Sequence, residues 1–399
     1  MKLLKSNKKY IKTMLPAVAV MMVGGCSLMH DDMPPCATDP KVSVVVNFVY
    51  DYNMDDEDRF DSEVGSVFLY VFEEDSTFVN RFEKRLIDID TEHPDFSMTF
   101  DANDNNDIEM GKTYHFVAVA SSKATGYDDS QDTPGFKLVN EMIPGRSKLG
   151  DYILRLNRDD KMFSDFDFGV IDYRSDYSGP DAMIDTVWTT KPGQVQTHTI
   201  PYLKADFDSA EQIPDHVEEV KIPMMRVTNS IEVALTSPNF TAMTQPTDYD
   251  ILIYFPEGNG VIDFEGRVGQ VHEISQPLYY RALRKRVGVY EEKTSTRADG
   301  DTQYAIYATF GVSRLRYEDG SSLQILDPET HEVLARIDDF SNYLNDRGNT
   351  DDNYTPQEYL DREFNFKVDL GLTADNSLWW SQVIGIHGWA VRDWYIGLH

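Results

Sequence analysis

Lys41-Val-Ser-Val-Val-Val-Asn-Phe-Val-Tyr50 puts Val42, Val44, Val46, Phe48 and Tyr50 at every second position. Successive side chains of a strand point to opposite faces of a sheet, so this spacing gathers all five on one face. Outward from it, Val67 to Phe72 (VFLYVF) is a continuous apolar run of strand length, and Tyr114 to Val119 is another, introduced by Gly111 after a polar loop from Asp101 to Asp107. Ile153 to Leu156 and Ala182 to Trp188 are weaker strand candidates, separated by turn-rich stretches such as Gly126 to Gly135 and Arg174 to Pro180. An acidic segment containing Pro214, Asp206 to Glu219, reads as an inter-domain connection. A second strand series follows: Ser230 to Leu235, Ile251 to Phe255, Leu278 to Leu283, Tyr304 to Phe310, Leu323 to Leu326 and Val333 to Ile337. Of these, Tyr304, Ile306, Ala308 and Phe310 share one face. A helix is expected around Asp339 to Leu344, and Pro356 to Asp361 begins a second or simply turns. Strands joined by long loops, with little helical periodicity, predict an all-β chain of β-sandwich type rather than an alternating α/β fold. At 399 residues the chain is long for one core, so two domains are expected, 41–215 and 216–399.

Ahead of these strands, Lys2, Lys5, Lys8, Lys9 and Lys12 precede an apolar run from Met14 to Gly25. Charged, then greasy, then small is the order of a secretory signal, and the run is too short to stay across a bilayer. Val23-Gly24-Gly25-Cys26 resembles a bacterial lipobox. Two glycines give a peptidase open backbone, and the thiol is nucleophilic enough to become a thioether to a diacylglycerol. Residues 1–25 are thus expected to be removed between Gly25 and Cys26, Cys26 to be lipidated, and 26–40, with three prolines, to act as a tether. Ser27 resembles a signal for outer-membrane sorting, and Asp31-Asp32 could belong to a surface-export signal. The alternative is an ordinary secreted chain with Cys26 near its cut by chance.

Without the five lysines the chain carries 68 acidic residues against 32 basic ones, which repels phosphate backbones and anionic lipid surfaces and excludes nucleic acid as a partner. Hydrophobic residues make up 41% and aromatic ones 12%, too many for a disordered acidic chain. There are two cysteines, and an acylated Cys26 leaves Cys36 without an intramolecular partner, so stability must come from packed cores.

Catalytic and metal motifs fail on inspection. Asp101 to Asp107 has the oxygen spacing of a calcium loop at its start, but Asn106 stands where glycine is needed and Lys112 where the bidentate glutamate should be. His272-Glu273 and His331-Glu332 lack a second histidine four residues after the first. Gly145-Arg-Ser147-Lys-Leu149-Gly150 has its second glycine one residue late for a nucleophile elbow and reads as a turn. No catalytic residue, metal site, cofactor or small-molecule substrate is assigned.

The C-terminus stands apart: Trp379, Trp380, Trp389 and Trp394 are four of five tryptophans, and Val383 to Val391 is apolar on both faces. Such a strand must be covered on both sides. It is either the last strand of its own core or a segment completing a neighbouring subunit's sheet, for which Trp389, Val391, Trp394 and Ile396 are the candidate side chains.

Cys26 with Asp31-Asp32 and Cys36, Val49-Tyr-Asp-Tyr-Asn-Met54, Val67-Phe-Leu-Tyr-Val-Phe-Glu73, Gln357-Glu-Tyr-Leu-Asp-Arg362 and Ile384-Gly-Ile-His-Gly-Trp-Ala-Val-Arg392 together resemble the anchoring lipoproteins of Bacteroidetes-type (type V) fimbriae. The resemblance implies two tandem transthyretin-like β-sandwiches and an outer-membrane lipoprotein that holds the base of a fimbrial shaft, limits its length and joins a shaft fimbrillin by strand exchange. It implies further that shaft pilins lose a first strand and receive a neighbour's, whereas the anchor keeps its own, here Val42 to Tyr50. The tail Asp393 to His399 extends past the matching part. The alternative is a fimbrial tip adhesin or a surface glycan-binding lipoprotein; a surface hydrolase is disfavoured by the failed motifs.

Overall fold

In the computed structural model, which describes residues 40–86, 89, 95–102, 107–122, 136–156, 186–204, 214–268, 277–282, 284–290, 302–349, 353–385 and 394–395, the alternating stretch forms β1, Val42–Val49. Its even-numbered side chains are buried and its odd-numbered ones half-buried. The N-terminal half continues through α1 (Phe60–Glu63), β2 (Ser66–Glu73), β3 (Phe78–Arg85), β4 (Met98–Asp101), β5 (Thr113–Ser121), β6 (Phe136–Leu138), β7 (Ile153–Leu156), β8 (Val187–Thr190), β9 (Gln196–Thr199) and β10 (His216–Arg226). Eight of these strands form one sheet in the order β3-β2-β5-β8-β10-β1-β4, with β9 beside β5. The sheet folds over on itself: Phe82 of β3 and Phe100 of β4, from opposite ends of that order, bring their rings to 4.5 Å.

Strand β10 makes the fold-over possible. It pairs with β1 in parallel from His216 to Pro223, then with β8 antiparallel from Met224 to Arg226. Pro223, which has no N–H to offer a ladder, stands where the strand changes neighbours. The division expected at 215/216 therefore moves: the N-terminal sheet runs on through Arg226, and the segment read as a connector ends inside β10. Its composition misleads because Glu219 and Lys221 face water while Val220, Ile222 and Met224 fill the core.

The two faces of β2 explain its unbroken apolar run. Val67, Leu69 and Val71 join Val42, Val44, Val46, Phe116 and Trp188 in the sandwich core. Phe68, Tyr70 and Phe72 face the other way, against Phe136, Tyr152, Leu154 and Ile262. At about 1.5–3 kcal/mol for each large apolar side chain removed from water, neither face could be left open.

The C-terminal half comprises β11 (Thr228–Thr236), β12 (Asp250–Phe255), β13 (Val261–Asp263), β14 (Leu278–Arg281), β15 (Arg284–Val289), β16 (Tyr304–Ser313), β17 (Ser322–Leu326), β18 (Val333–Asp338), α2 (Phe340–Gly348), α3 (Pro356–Arg362), β19 (Asn365–Leu372), β20 (Leu378–Gly385) and β21 (Trp394–Tyr395). A six-stranded sheet, β15-β16-β11-β19-β20-β21, faces a four-stranded one, β14-β12-β17-β18. Between them lies one core that includes Ile231, Val233, Ile253, Ile306, Phe310, Leu323, Val368 and Val383. The protein is an all-β chain built as two sandwiches in tandem.

The halves are stitched together by β13. It leaves the C-terminal sandwich, pairs antiparallel with β7 (Ile262↔Leu154) and completes the three-stranded sheet β13-β7-β6 that covers the outer face of β2 and β5. The turn after it places Gly266 at φ +70, with Pro192 of the N-terminal half where a Cβ would lie. Gly266→Ala should lower stability by about 1–3 kcal/mol through backbone strain and overpacking. Denaturant unfolding reads this as a shifted midpoint, and an unshifted one would mean the turn is not seated on Pro192.

Candidate anchoring and docking surfaces

Helix α3 and the loop after β1 meet at the junction of the sandwiches. The sequence Thr355-Pro-Gln-Glu358 starts the helix: Thr355 Oγ1 accepts from the Glu358 N–H at 3.3 Å, Glu358 Oε2 accepts from the Thr355 N–H at 2.9 Å, and Pro356 occupies the first turn, where its missing N–H costs nothing. Tyr359 and Leu360 turn into the C-terminal core. Gln357 holds the chain after β16 through its contacts with the Leu315 carbonyl (3.1 Å) and the Tyr317 N–H (2.9 Å). Asp361 takes Arg314 in a two-pronged pair, Nε and Nη2 each at 2.8 Å, and Arg314 also donates to the Gly266 carbonyl at 2.5 Å. That guanidinium therefore ties α3 to the β13 turn. Both side chains are mostly buried, which makes the pair sensitive to loss of either partner.

Arg362 reaches across the junction. Its Nη1 donates to the Asn53 carbonyl at 2.8 Å and to Asp56 Oδ1 at 2.5 Å, and its guanidinium lies 4.4 Å from the centre of the Tyr52 ring. Lys191 Nζ of the N-terminal half is 3.6 Å from the same ring. Burial, and then the neighbouring Arg362 charge, hold the Lys191 ammonium below its ordinary value. Asn53, itself buried, donates to the carbonyls of Tyr50 and Glu57 and fixes the loop, and Met54 packs on the C-terminal core. The half-buried Arg226 stacks on Phe364 at 4.1 Å. Two of the sequence motifs, Val49–Met54 and Gln357–Arg362, are thus the two sides of one joint.

The other sequence candidates fall as follows. Gly25, Cys26, Trp389, Val391 and Ile396 lie outside the described residues. Trp394 is in β21, whose backbone pairs with β20 (Ser381↔Trp394), so this part of the tail adds an edge strand to its own sheet. Val383, the start of the stretch apolar on both faces, is fully buried in the C-terminal core. Asp107 accepts from the Asn80 side-chain amide at 3.0 Å, and the described residues contain no group of histidine, cysteine and carboxylate side chains able to hold a metal. Ser147 sits in the expected turn, where its hydroxyl accepts from the Ile143 N–H at 2.9 Å. No helix among the described residues is long and apolar enough to cross a membrane.

Strand directions place the two ends. β1 runs from the Pro40 end toward the junction at Tyr50–Met54, and β10 runs beside it in parallel. From the junction β11 and β19 run away in parallel, so Thr236 and Leu372 mark the far end of the second sandwich.

Residues 33–394 match the family model described as fimbrillin-A associated anchor proteins Mfa1 and Mfa2. The chain belongs to this anchor family. No curated protein matches it in sequence. Among solved structures, a candidate adhesin from Bacteroides thetaiotaomicron superposes with a TM-score of 0.61 at 19% identity, covering 87% of this chain and 97% of that one. A candidate polysaccharide-binding protein of the same species gives 0.59 at 20%, covering 90% and 99%. The fimbrial anchor protein Mfa2 from Porphyromonas gingivalis gives 0.52 at 17%, covering 90% and 100%. At these identities the likeness carries the fold alone. Membership in the anchor family assigns the chain a fimbria-associated role in a family of structural proteins.

Sequence reasoning missed β13 and the Lys191–Tyr52–Arg362 stack, because each depends on residues far apart in the chain. The capping sequence before α3 was a legible signal for that helix.

Proposed function

We propose that the protein is an outer-membrane lipoprotein that fixes the base of a fimbria and ends its growth. Cys26, exposed by removal of residues 1–25, carries the acyl chains, residues 26–40 form the tether, and the paired sandwiches stand outside the membrane. The observation that supports this most is the state of β1. Its backbone is paired on both edges, with β10 and with β4, and Val42, Val44 and Val46 are fully buried. Where shaft subunits give up a first strand and take a neighbour's, a subunit that keeps its own has no vacant groove for a donor. It can stand only at an end of the polymer, and a lipid makes that end the base. The tail after Gly385, with Trp389, Val391, Trp394 and Ile396, is the segment for exchange with the shaft subunit, and exchange would release Trp394 from its pairing with β20.

Cys26→Ala tests the anchor. One acyl chain holds a protein marginally and several hold it permanently, at roughly 0.8 kcal/mol per buried methylene. The variant should move from the outer-membrane fraction to the soluble fraction and the medium, with fimbriae shed alongside it. Retention in the outer membrane at the parent level would refute lipid anchoring through Cys26.

A further inference from the structure

The end of the second sandwich remote from the junction gathers exposed apolar side chains. Met243 (80% exposed) lies in the connection from β11 to β12, Val289 (52%) ends β15, Val333 (49%) begins β18, and Trp379 (39%) lies near the start of β20. These are four of the eight large hydrophobic residues exposed among the described residues. The register puts them at one end. Val289 pairs with Tyr304, beside Ala305, which faces Thr236; Val333 pairs with Leu326, which follows from Asp250 across β17; and Leu378 pairs with Leu372 at the end of β19.

The connections at this end are held in place. Tyr249 Oη donates to Asn376 Oδ1 at 2.8 Å, the Asn239 side-chain amide donates to the Ala374 carbonyl at 2.8 Å, and Phe240 packs against Tyr249 with ring centroids 5.4 Å apart. Met243 is thereby displayed on a loop tied to the turn that precedes Trp379. Residues 237–249, 327–332 and 373–377 contain Asp248, Asp327, Glu329, Glu332 and Asp375 and no lysine or arginine. These three connections are acidic around the exposed apolar side chains, and the nearby Lys285 is turned inward, its Nζ donating to the Tyr249 carbonyl at 3.0 Å.

We infer that this remote end is the docking face for the first shaft subunit, which presents to it an apolar centre with a basic rim. The inference rests on the anchor reading above. The tether enters at the opposite end of the first sandwich, so a partner seated on the remote end extends away from the membrane, and β21, antiparallel to β20, points toward the same end. A Met and a Trp on ordered supports are also the side chains that interfaces favour as anchors over Lys, Glu or Asp.

A photo-crosslinking residue placed singly at Met243, Trp379, Val217 or Tyr202 in the full lipid-anchored chain, in cells bearing fimbriae, tests this. Val217 and Tyr202 are exposed positions of the first sandwich, and mass spectrometry identifies the crosslinked protein. Fimbrillin subunits captured from 243 and 379 but not from 217 or 202 are the expected result. Capture from 217 or 202 without 243 and 379 overturns the docking face and leaves the anchor reading standing. No fimbrillin from any position overturns both. In parallel, M243D with W379D should weaken retention of shaft subunits by about tenfold or more while the protein stays in the outer membrane, the loss expected of one interface anchor. Shaft retention equal to the parent overturns the docking face.

Discussion

Deleting residues 41–50 should leave a chain whose first sandwich does not fold, and a peptide spanning Val42 to Tyr50 should restore it when added in trans. The deletion removes β1 from between β10 and β4, and with it Val42, Val44, Val46, Phe48 and Tyr50, all buried. Five such side chains are worth about 8–15 kcal/mol at about 1.5–3 kcal/mol each, an upper figure because the unfolded chain already hides part of this surface. The whole stability of a domain is about 5–15 kcal/mol, so the sandwich loses all or most of it. The groove left behind has the shape of one parallel and one antiparallel ladder, which is why the native peptide in its native direction should refill it. Thermal unfolding of the soluble chain starting at residue 27 reads the outcome. The transition assigned to the first sandwich should vanish on deletion and return with peptide. A deletion variant that melts like its parent would mean that β1 is dispensable, and the argument that a retained strand marks the base of the polymer would go with it.

That strand was also the easiest part of the structure to see in the sequence. Its period of two survives because only one face is buried: Ser43 and Asn47 sit on the other face. The run Val67 to Phe72 read as a strand, but nothing local could say what covers its second face, since Ile262 lies nearly two hundred residues away and β13 is only three residues long. β10 escaped for the opposite reason. Its outward residues are so polar that His216 to Lys221 looks like loop, and its inward residues become legible only once β1 supplies the neighbour. β3, with Asn80, Arg81, Glu83, Lys84 and Arg85 in one short strand, was hidden in the same way. At the candidate site the two motifs at the junction were visible as motifs, yet their contact was not. The Tyr52 ring meets Arg362 across 310 residues of sequence, and no spacing rule reaches so far.

Asp361→Ala should destabilise the protein by about 3–5 kcal/mol, more than any single loss of an exposed charge. Arg314 is 12% exposed and Asp361 6%, so the alanine variant strands a guanidinium with little water and one remaining carbonyl, that of Gly266. The cost comes from the charge left behind rather than from the worth of the pair. It follows that Arg314→Met combined with Asp361→Leu should recover most of the stability, because no charge then remains to be solvated. A surface pair would behave differently, with each single change costing at most about 1 kcal/mol and the double change about their sum. Location makes the effect more than local. Arg314 holds the turn after β13, and β13 supplies Ile262 to the cover over Phe68, Tyr70 and Phe72. Hydrogen exchange at the amides of Val261 to Asp263 should therefore speed up in Asp361→Ala ahead of exchange in β11 and β16. Denaturant midpoints for the two single variants and the double variant complete the cycle. A single variant within about 1 kcal/mol of the parent, or a double variant as weak as the worse single one, would remove Arg314 and Asp361 from the list of contacts that hold the two sandwiches as one anchor.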